Sequence, residues 1–469
     1  LVYLNSSGGV IAENLATGTP SIRSAGGQAI EFSGMTGGVI RDNVVRDILA
    51  DPNSDAGSCT TRCVNTGSAI GVNTSSGANE DIIVSGNLII DIDTQIGISV
   101  NSSSNHNSTI SVVDNQIEMD NIGAFPCLSS PSPPGTPSQC SISLNGSSSN
   151  KRSDILIQGN ITNAGMTTVS TSGFGPISFV DNQLDGGTPT PGRGLVVGGN
   201  PLLVEGNHIR GFRDEGIYVI GLTTDDRTES VLITNNTLLD IGCADLYDNP
   251  ATGGGAQSDD GSAAADLHCD YDGEDIHDVI SGFNTCGSDG KIIGGVTVTG
   301  NKILGGGSAL FFDEAISFNT CVRASVMDNY IDYNGSIMAS GQFGISHWAH
   351  ADANTVIGAI QYGMYTSVDG AIATGNYVEG ATSKGIYATS SAADFVAVGN
   401  TVVADAARAI ESAGQRPICV HNISRSTSTN DRLFVCGEGG SDASCGADTA
   451  ADGICAENQV CNTGDTDCS

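Results

Sequence analysis

The chain has 469 residues, with 18 Lys+Arg against 52 Asp+Glu and a formal charge of −34. That balance excludes nucleic acid as a partner, since phosphate binding needs clustered cations, and a hydrophobic content of 39% is too high for a disordered acidic chain. No apolar run approaches the roughly 18 residues of a membrane helix, so no membrane span is expected, and 63 Gly with 5% aromatics lean toward a mainly β protein.

The chain opens on the strand-like Leu1-Val2-Tyr3-Leu4, with neither an initiator Met nor a signal peptide, as expected of a processed secreted protein. From there a repeat organises most of the sequence. Its unit is two or three alternating apolar positions, a small or acidic residue, an Asn, and another apolar residue two later. Ile82-Ile83-Val84-Ser85-Gly86-Asn87-Leu88-Ile89 shows it, as do the segments 202–209, 231–238 and 296–303. The Asn recurs at Asn14, Asn43, Asn87, Asn115, Asn160, Asn182, Asn207, Asn236, Asn301, Asn329, Asn376, Asn400 and Asn422. Most steps span 22 to 29 residues; those of 44, 45 and 47 read either as two coils or as one coil plus an insertion.

Each unit carries a second apolar pair further on, usually after Gly, as in Gly97-Ile98, Gly216-Ile217, Gly344-Ile345 and Gly385-Ile386. Alternating apolarity predicts strands with one buried face. Gly and Asn between them predict tight turns, because both tolerate the left-handed backbone region. Short strands and turns at this period make a solenoid in which each coil buries its apolar face on the next.

The x-Val/Ile-x-x-Asn-x-Ile pattern resembles the right-handed parallel β-helix of the pectin-lyase-like superfamily, over roughly residues 1 to 424. The expected fold is therefore all-β, a right-handed parallel β-helix with loop insertions and a Cys-rich C-terminal tail. The resemblance implies a ladder of stacked Asn side chains inside one turn. It does not select an activity, because that superfamily includes lyases, hydrolases, epimerases, tailspikes and adhesins. Polygalacturonase-type members carry Asn-Thr-Asp, Asp-Asp, Gly-His-Gly and Arg-Ile-Lys segments. Here Asp259-Asp260 stands, but outside a strand context, and the other segments are missing. Lyases of the fold use Lys or Arg on uronates, and this chain has only Lys151, Lys291, Lys302 and Lys384 with scattered Arg.

Insertions break the repeat at about 50–66, 120–140 and 243–295, and an acidic Cys-rich tail occupies 425–469. Solenoid insertions emerge as loops and often carry function. The 14 Cys lack zinc spacing, so disulfides and an extracellular setting are expected. Candidates bracketing short loops are Cys59 with Cys63, Cys127 with Cys140, and Cys419 with Cys436.

Three clusters carry candidate chemistry. In the 243–295 insertion, Asp270, Asp272, Glu274 and Asp275 alternate hard oxygen ligands around Gly273. They read either as a calcium site or as a solvated acidic loop pinned by disulfides. Asp313 and Glu314 stand one repeat before His347, Trp348 and His350, which stacking would bring within reach. A carboxylate there supplies acid or base for glycoside hydrolysis with Trp348 as a sugar platform, although His347 also reads as an inward core or turn residue. Arg210, Arg213, Asp214 and Glu215 read as an acid/base set or as salt-bridged turn residues. Tyr218, Tyr365 and Tyr387 share the place after Gly-Ile or Gly-Met and form either a sugar-binding aromatic stack or plain cross-coil packing.

Two functions fit. One is a secreted structural or adhesive protein of a cell surface, sheath or filament, with polysaccharide or cell-surface partners and end-to-end self-association through strand edges. The alternative is a polysaccharide lyase or glycoside hydrolase on the same scaffold. Calcium is the only cofactor the composition suggests.

Overall fold

A computed structural model describes residues 2–4, 8–17, 29–35, 37–48, 65–74, 80–92, 94–102, 108–119, 140–146, 153–170, 176–190, 193–198, 201–212, 215–219, 231–242, 278–282, 293–305, 314–318, 322–333, 343–358, 361–404, 408–414, 416–426 and 434–436. The chain divides into two compact units, Leu1–Gly221 and Leu222–Ser469. Among the described residues every regular element is a strand, and every strand pairing is parallel. Each unit is a parallel β-helix with three sheets. In the first unit these hold eight, seven and seven strands, and in the second, seven each.

One coil shows how the sequence produces this. Strand Glu80–Ser85 lies in the second sheet and strand Leu88–Ile92 in the third, joined by Gly86 and Asn87. Ile82 and Val84 point inward and are buried, while Ile83 between them is 40% exposed. The turn works because Gly86 adopts φ +62°, in the left-handed region. The same residue of the turn is left-handed in every described coil, whether Gly, Glu13, Asp42, Asp114, Asp181, Asn235, Asp328, Ala353 or His421. Asp and Asn tolerate that region better than other side chains, which explains the small or acidic residue before each Asn.

The Asn then solves a second problem. A tight turn leaves backbone groups inside the coil without strand partners, and a buried unpaired group is costly. Asn87 Nδ2 donates to Ile40 O (3.1 Å), Ser85 O (3.1 Å) and Asn115 Oδ1 (2.9 Å), while Asn43 Nδ2 donates to Asn87 Oδ1 at 2.9 Å. This pattern runs from Asn14 to Asn207 in the first unit and from Asn236 to Asn422 in the second. Ladder members away from the ends are at most 1% exposed.

The ladder also settles the coil count. Asn43 bonds directly to Asn87, Asn115 to Asn160 and Asn236 to Asn301, so those long steps are single coils with excursions. The step of 47 is two coils: Asn329 donates to Asn354, and Asn354 to Asn376, so Asn354 is a rung that the repeat pattern did not include. Within the 243–295 segment, strand Ile280–Gly282 pairs with Ile316–Phe318 and keeps the first sheet continuous through that coil.

The Gly-Ile pairs fall on the first sheet. A Cβ on Gly97 would lie 2.6 Å from Ser141 O of the next coil and 2.8 Å from Ile117 Cγ2. Only Gly lets the third-to-first corner close that tightly. Inward columns such as Ile98, Ile142 and Met166, or Ile345, Met364 and Ile386, are fully buried. Trp348 and Phe395, also fully buried with ring centroids 6.2 Å apart, sit in coils whose inward second-sheet residues are only Ala351 and Ala397.

Candidate functional site

With the corners and the interior committed to the fold, variation is left to the outward side chains. On the first sheet of the second unit they form two adjacent columns. One runs Ser317, Ser346, Tyr365, Tyr387, Glu411, of which Ser317, Ser346 and Glu411 are buried beneath their neighbours; the other runs Phe343, Tyr362, Lys384, Arg408. Successive strands lie about 4.8 Å apart, close to the separation of stacked rings, so aromatic residues in register stack across coils. Phe343 stacks on Tyr365 with centroids 4.4 Å apart and on Tyr362 at 5.2 Å; Tyr362 stacks on Tyr387 at 5.5 Å. All four rings are half-buried and keep part of their surface toward solvent.

Charges frame the rings at both ends. Lys384 Nζ sits 3.4 Å from the Tyr387 centroid and 5.5 Å from that of Tyr362, a cation over two π faces. It also pairs with Glu411 at 3.2 Å, and Arg408 Nη1 meets the same carboxylate at 2.6 Å. At the other end Glu314 is buried and takes a hydrogen bond from Ser346 Oγ, which lies 3.1 Å from Ser317 Oγ. Burial raises the phenol pKa of Tyr365 first, and then the Glu314 carboxylate raises it further, because a phenolate there would lose water and meet a like charge. Tyr387 is raised for the same reasons, with Glu411 as the leading charge. The phenols therefore stay protonated as hydrogen-bond donors.

Tyr365 and Tyr387 belong to this face. Tyr218 lies on the first sheet of the first unit, half-buried, with the Arg193 guanidinium 4.4 Å over its ring; Arg193 pairs in turn with buried Glu215. Glu215 is thus a salt-bridged residue beside the Gly216-Ile217 strand. Arg210 lies exposed on the third sheet, and Arg213 and Asp214 fall outside the described residues. Asp313 likewise falls outside them, while Glu314 borders the aromatic face.

His347 occupies the one-residue corner between strands Phe343–Ser346 and Trp348–Asp352, with φ 53°. Its Nδ1 lies 3.2 Å from Ser367 Oγ and its ring meets Tyr365 edge-on at 5.2 Å. Burial holds its pKa below the usual histidine value. It pairs with Ser367, not with Glu314. His350 is on the second sheet, beside Ser325 and Ile372 and away from the face. Trp348 requires a correction: at 0% exposure it presents no ring face to a ligand, so it is a core residue and not a sugar platform. A register shift between Ala324 and Ser325 turns it inward.

The calcium candidates Asp270, Asp272, Glu274 and Asp275 lie outside the described residues, as do Cys59, Cys63 and Cys127. Among the described residues no three His, Cys, Asp or Glu converge as a metal site. Cys140 is buried and disulfide-bonded. Cys419 lies on the second sheet beside Ala397, and Cys436 on the first beside Ser412. Of the face residues, the sequence reading did not single out Phe343, Tyr362, Lys384 or Arg408. The available signal was the residue before the corner Gly, which is Phe343, Tyr362 and Lys384 in three successive coils.

No protein-family model matches the chain, and neither a curated protein nor a solved structure matches it. No helix of the described residues is long and apolar enough to cross a membrane.

Proposed function

We propose that the chain is an extracellular structural or adhesive protein that holds polysaccharide on the aromatic face of its second unit. The observation that carries this reading is the four-ring cluster of Phe343, Tyr362, Tyr365 and Tyr387, open to solvent on the outside of a rigid sheet. Sugar rings have apolar C–H faces and hydroxyl edges. Aromatic planes bordered by phenols and Lys384 match both. Rings fixed by cross-coil stacking lose little freedom on binding, which favours a ligand presented to them. The disulfide at Cys140 fits an oxidising, extracellular setting. Affinity electrophoresis through gels containing a panel of neutral and uronic polysaccharides tests the reading. Retardation by at least one glycan, lost in Tyr362→Ala, is expected; no retardation by any of them would sink it.

A second reading, a polysaccharide lyase or glycoside hydrolase, draws on the carboxylates of Glu314 and Glu411 at the two ends of the same rings and on the pectin-lyase-like resemblance. Release of reducing ends or unsaturated products that disappears in Glu314→Gln would favour it over adhesion. Calcium at Asp270, Asp272, Glu274 and Asp275 is part of the proposal on composition alone; a chelator that leaves the melting temperature unchanged would remove it.

A further inference from the structure

The chain has 10 Tyr, and three of them share one patch on the first sheet of the second unit. Tyr362 and Tyr387 are stacked, with centroids 5.5 Å apart and planes at 23°. Tyr365 lies 5.8 Å from Tyr387 and 6.2 Å from Tyr362, tilted against both. By contrast, Tyr330 and Tyr377 share a column of the third sheet, but Thr355 stands between them.

The register of the coils fixes the contact. Tyr365 is the strand partner of Tyr387, and Tyr362 that of Lys384. Neighbouring strands lie about 4.8 Å apart, which puts phenol rings of successive coils side by side. The outer torsion of Tyr turns within a broad well, so a ring rotation brings carbons ortho to the two hydroxyls together. All three rings are half-buried: the sheet holds them, and part of each stays open to an oxidant. Burial, and then the carboxylates of Glu314 at Tyr365 and Glu411 at Tyr387, keep the phenols protonated. Removing an electron from either ring therefore also releases a proton, and a carboxylate stands near to accept it.

We propose that Tyr362 and Tyr387 form a site of oxidative cross-linking, joined as dityrosine by a haem peroxidase that uses hydrogen peroxide. Each phenol gives up one electron and one proton. The two phenoxyl radicals join through their ortho carbons, and the hydrogens on those carbons move to the oxygens, restoring both rings. The two electrons and two protons lost reduce one hydrogen peroxide to two waters. The new carbon–carbon bond staples strand Tyr362–Thr366 to strand Lys384–Ala388 of the next coil. A solenoid coil is held only by its neighbours, and a covalent link between coils restricts the unfolded chain as a disulfide does. The inference stands on the positions of the rings and does not depend on glycan binding.

Treatment of the dilute 469-residue chain with a haem peroxidase and hydrogen peroxide tests it, read by dityrosine fluorescence, intact mass and peptide mapping. The expected product is a monomer two hydrogens lighter than the untreated chain, with Tyr362 linked to Tyr387 and a raised melting temperature. Tyr362→Phe and Tyr387→Phe each keep the ring stack and remove one phenol. Both should lose the link, whereas Tyr365→Phe and Tyr330→Phe should keep it. Absence of dityrosine, links only between chains, or a link that persists in Tyr387→Phe overturns the proposal. A map that joins Tyr365 to either neighbour in place of the Tyr362 to Tyr387 bond overturns it equally.

Discussion

The corner between the second and third sheets and the outward face of the first sheet are built from the same coils, yet they use sequence in opposite ways. At the corner every coil repeats one solution, a left-handed residue followed by a buried Asn. On the first sheet, successive coils of the second unit place Ser346, Tyr365, Tyr387 and Glu411 at a single outward position. The corner is invariant because backbone amides and carbonyls are the same in every coil and need the same partner. The outward face has no backbone demand to meet, so its side chains are free to serve a ligand. Regularity marks what holds the fold, and irregularity marks what the fold presents.

The sharpest way to break that contrast is inside the ladder. Asn329 donates to Asn354, Val298 O and Met327 O and accepts from Asn301. Asn329→Ala leaves several of these groups buried without partners and is expected to cost roughly 2–4 kcal/mol in urea unfolding. Asn14→Ala, at the half-exposed end, is expected to cost about 1 kcal/mol or less. Equal losses at the two positions would show that the ladder is not what stabilises the corner.

A smaller effect is expected at the left-handed residue. Gly206 has φ +67°, and a Cβ there would collide with the Asp181 carboxylate of the preceding coil. Gly206→Ala should therefore destabilise by about 1–2 kcal/mol. Adding Asp181→Gly removes the collision but leaves the strain in φ, so the double variant should recover part of the loss in thermal unfolding. On the outward face the order reverses. Tyr365→Ala should weaken glycan retention by about 1 kcal/mol, roughly fivefold, with a smaller change in stability than Asn329→Ala.

The smallest effect concerns pH. His347 has its folded pKa below the unfolded value because burial disfavours the imidazolium. Between those two values the unfolded state binds more protons, so stability rises with pH through that window and the deficit is complete below the folded pKa. His347→Asn keeps a residue that tolerates φ 53° and removes the proton. Its stability should therefore fall less than wild type between neutral pH and mildly acid pH. An identical pH profile would show that His347 is not a contributor.

The contrast also explains what the sequence disclosed. The ladder was legible because a backbone requirement admits one residue type, so thirteen of its Asn stood out in the repeat. Asn354 escaped because Ala353 fills the left-handed place usually held by Gly, Asp or Asn, and because the run His347-Trp348-Ala349-His350 read as chemistry. The steps of 44 and 45 were ambiguous because polar excursion residues and polar turn residues are alike in composition. Trp348 was misassigned for a physical reason that no pattern carries: a local register shift rotates it into the core beside Phe395. Tyr365 and Tyr387 were readable from their place after Gly-Met and Gly-Ile. Their companions Phe343, Tyr362 and Lys384 were not, since a residue before a corner Gly has an outward orientation only once the coil is built.

The central claim is that the first-sheet face of the second unit binds glycan without carrying the fold. Measuring the melting temperature and polysaccharide retention together on the Tyr365→Ala/Tyr387→Ala double variant tests it most directly. The account predicts a melting temperature within a few degrees of wild type and retention abolished. Retention unchanged with both rings gone, or a collapse of the melting temperature matching that of Asn329→Ala, would contradict it.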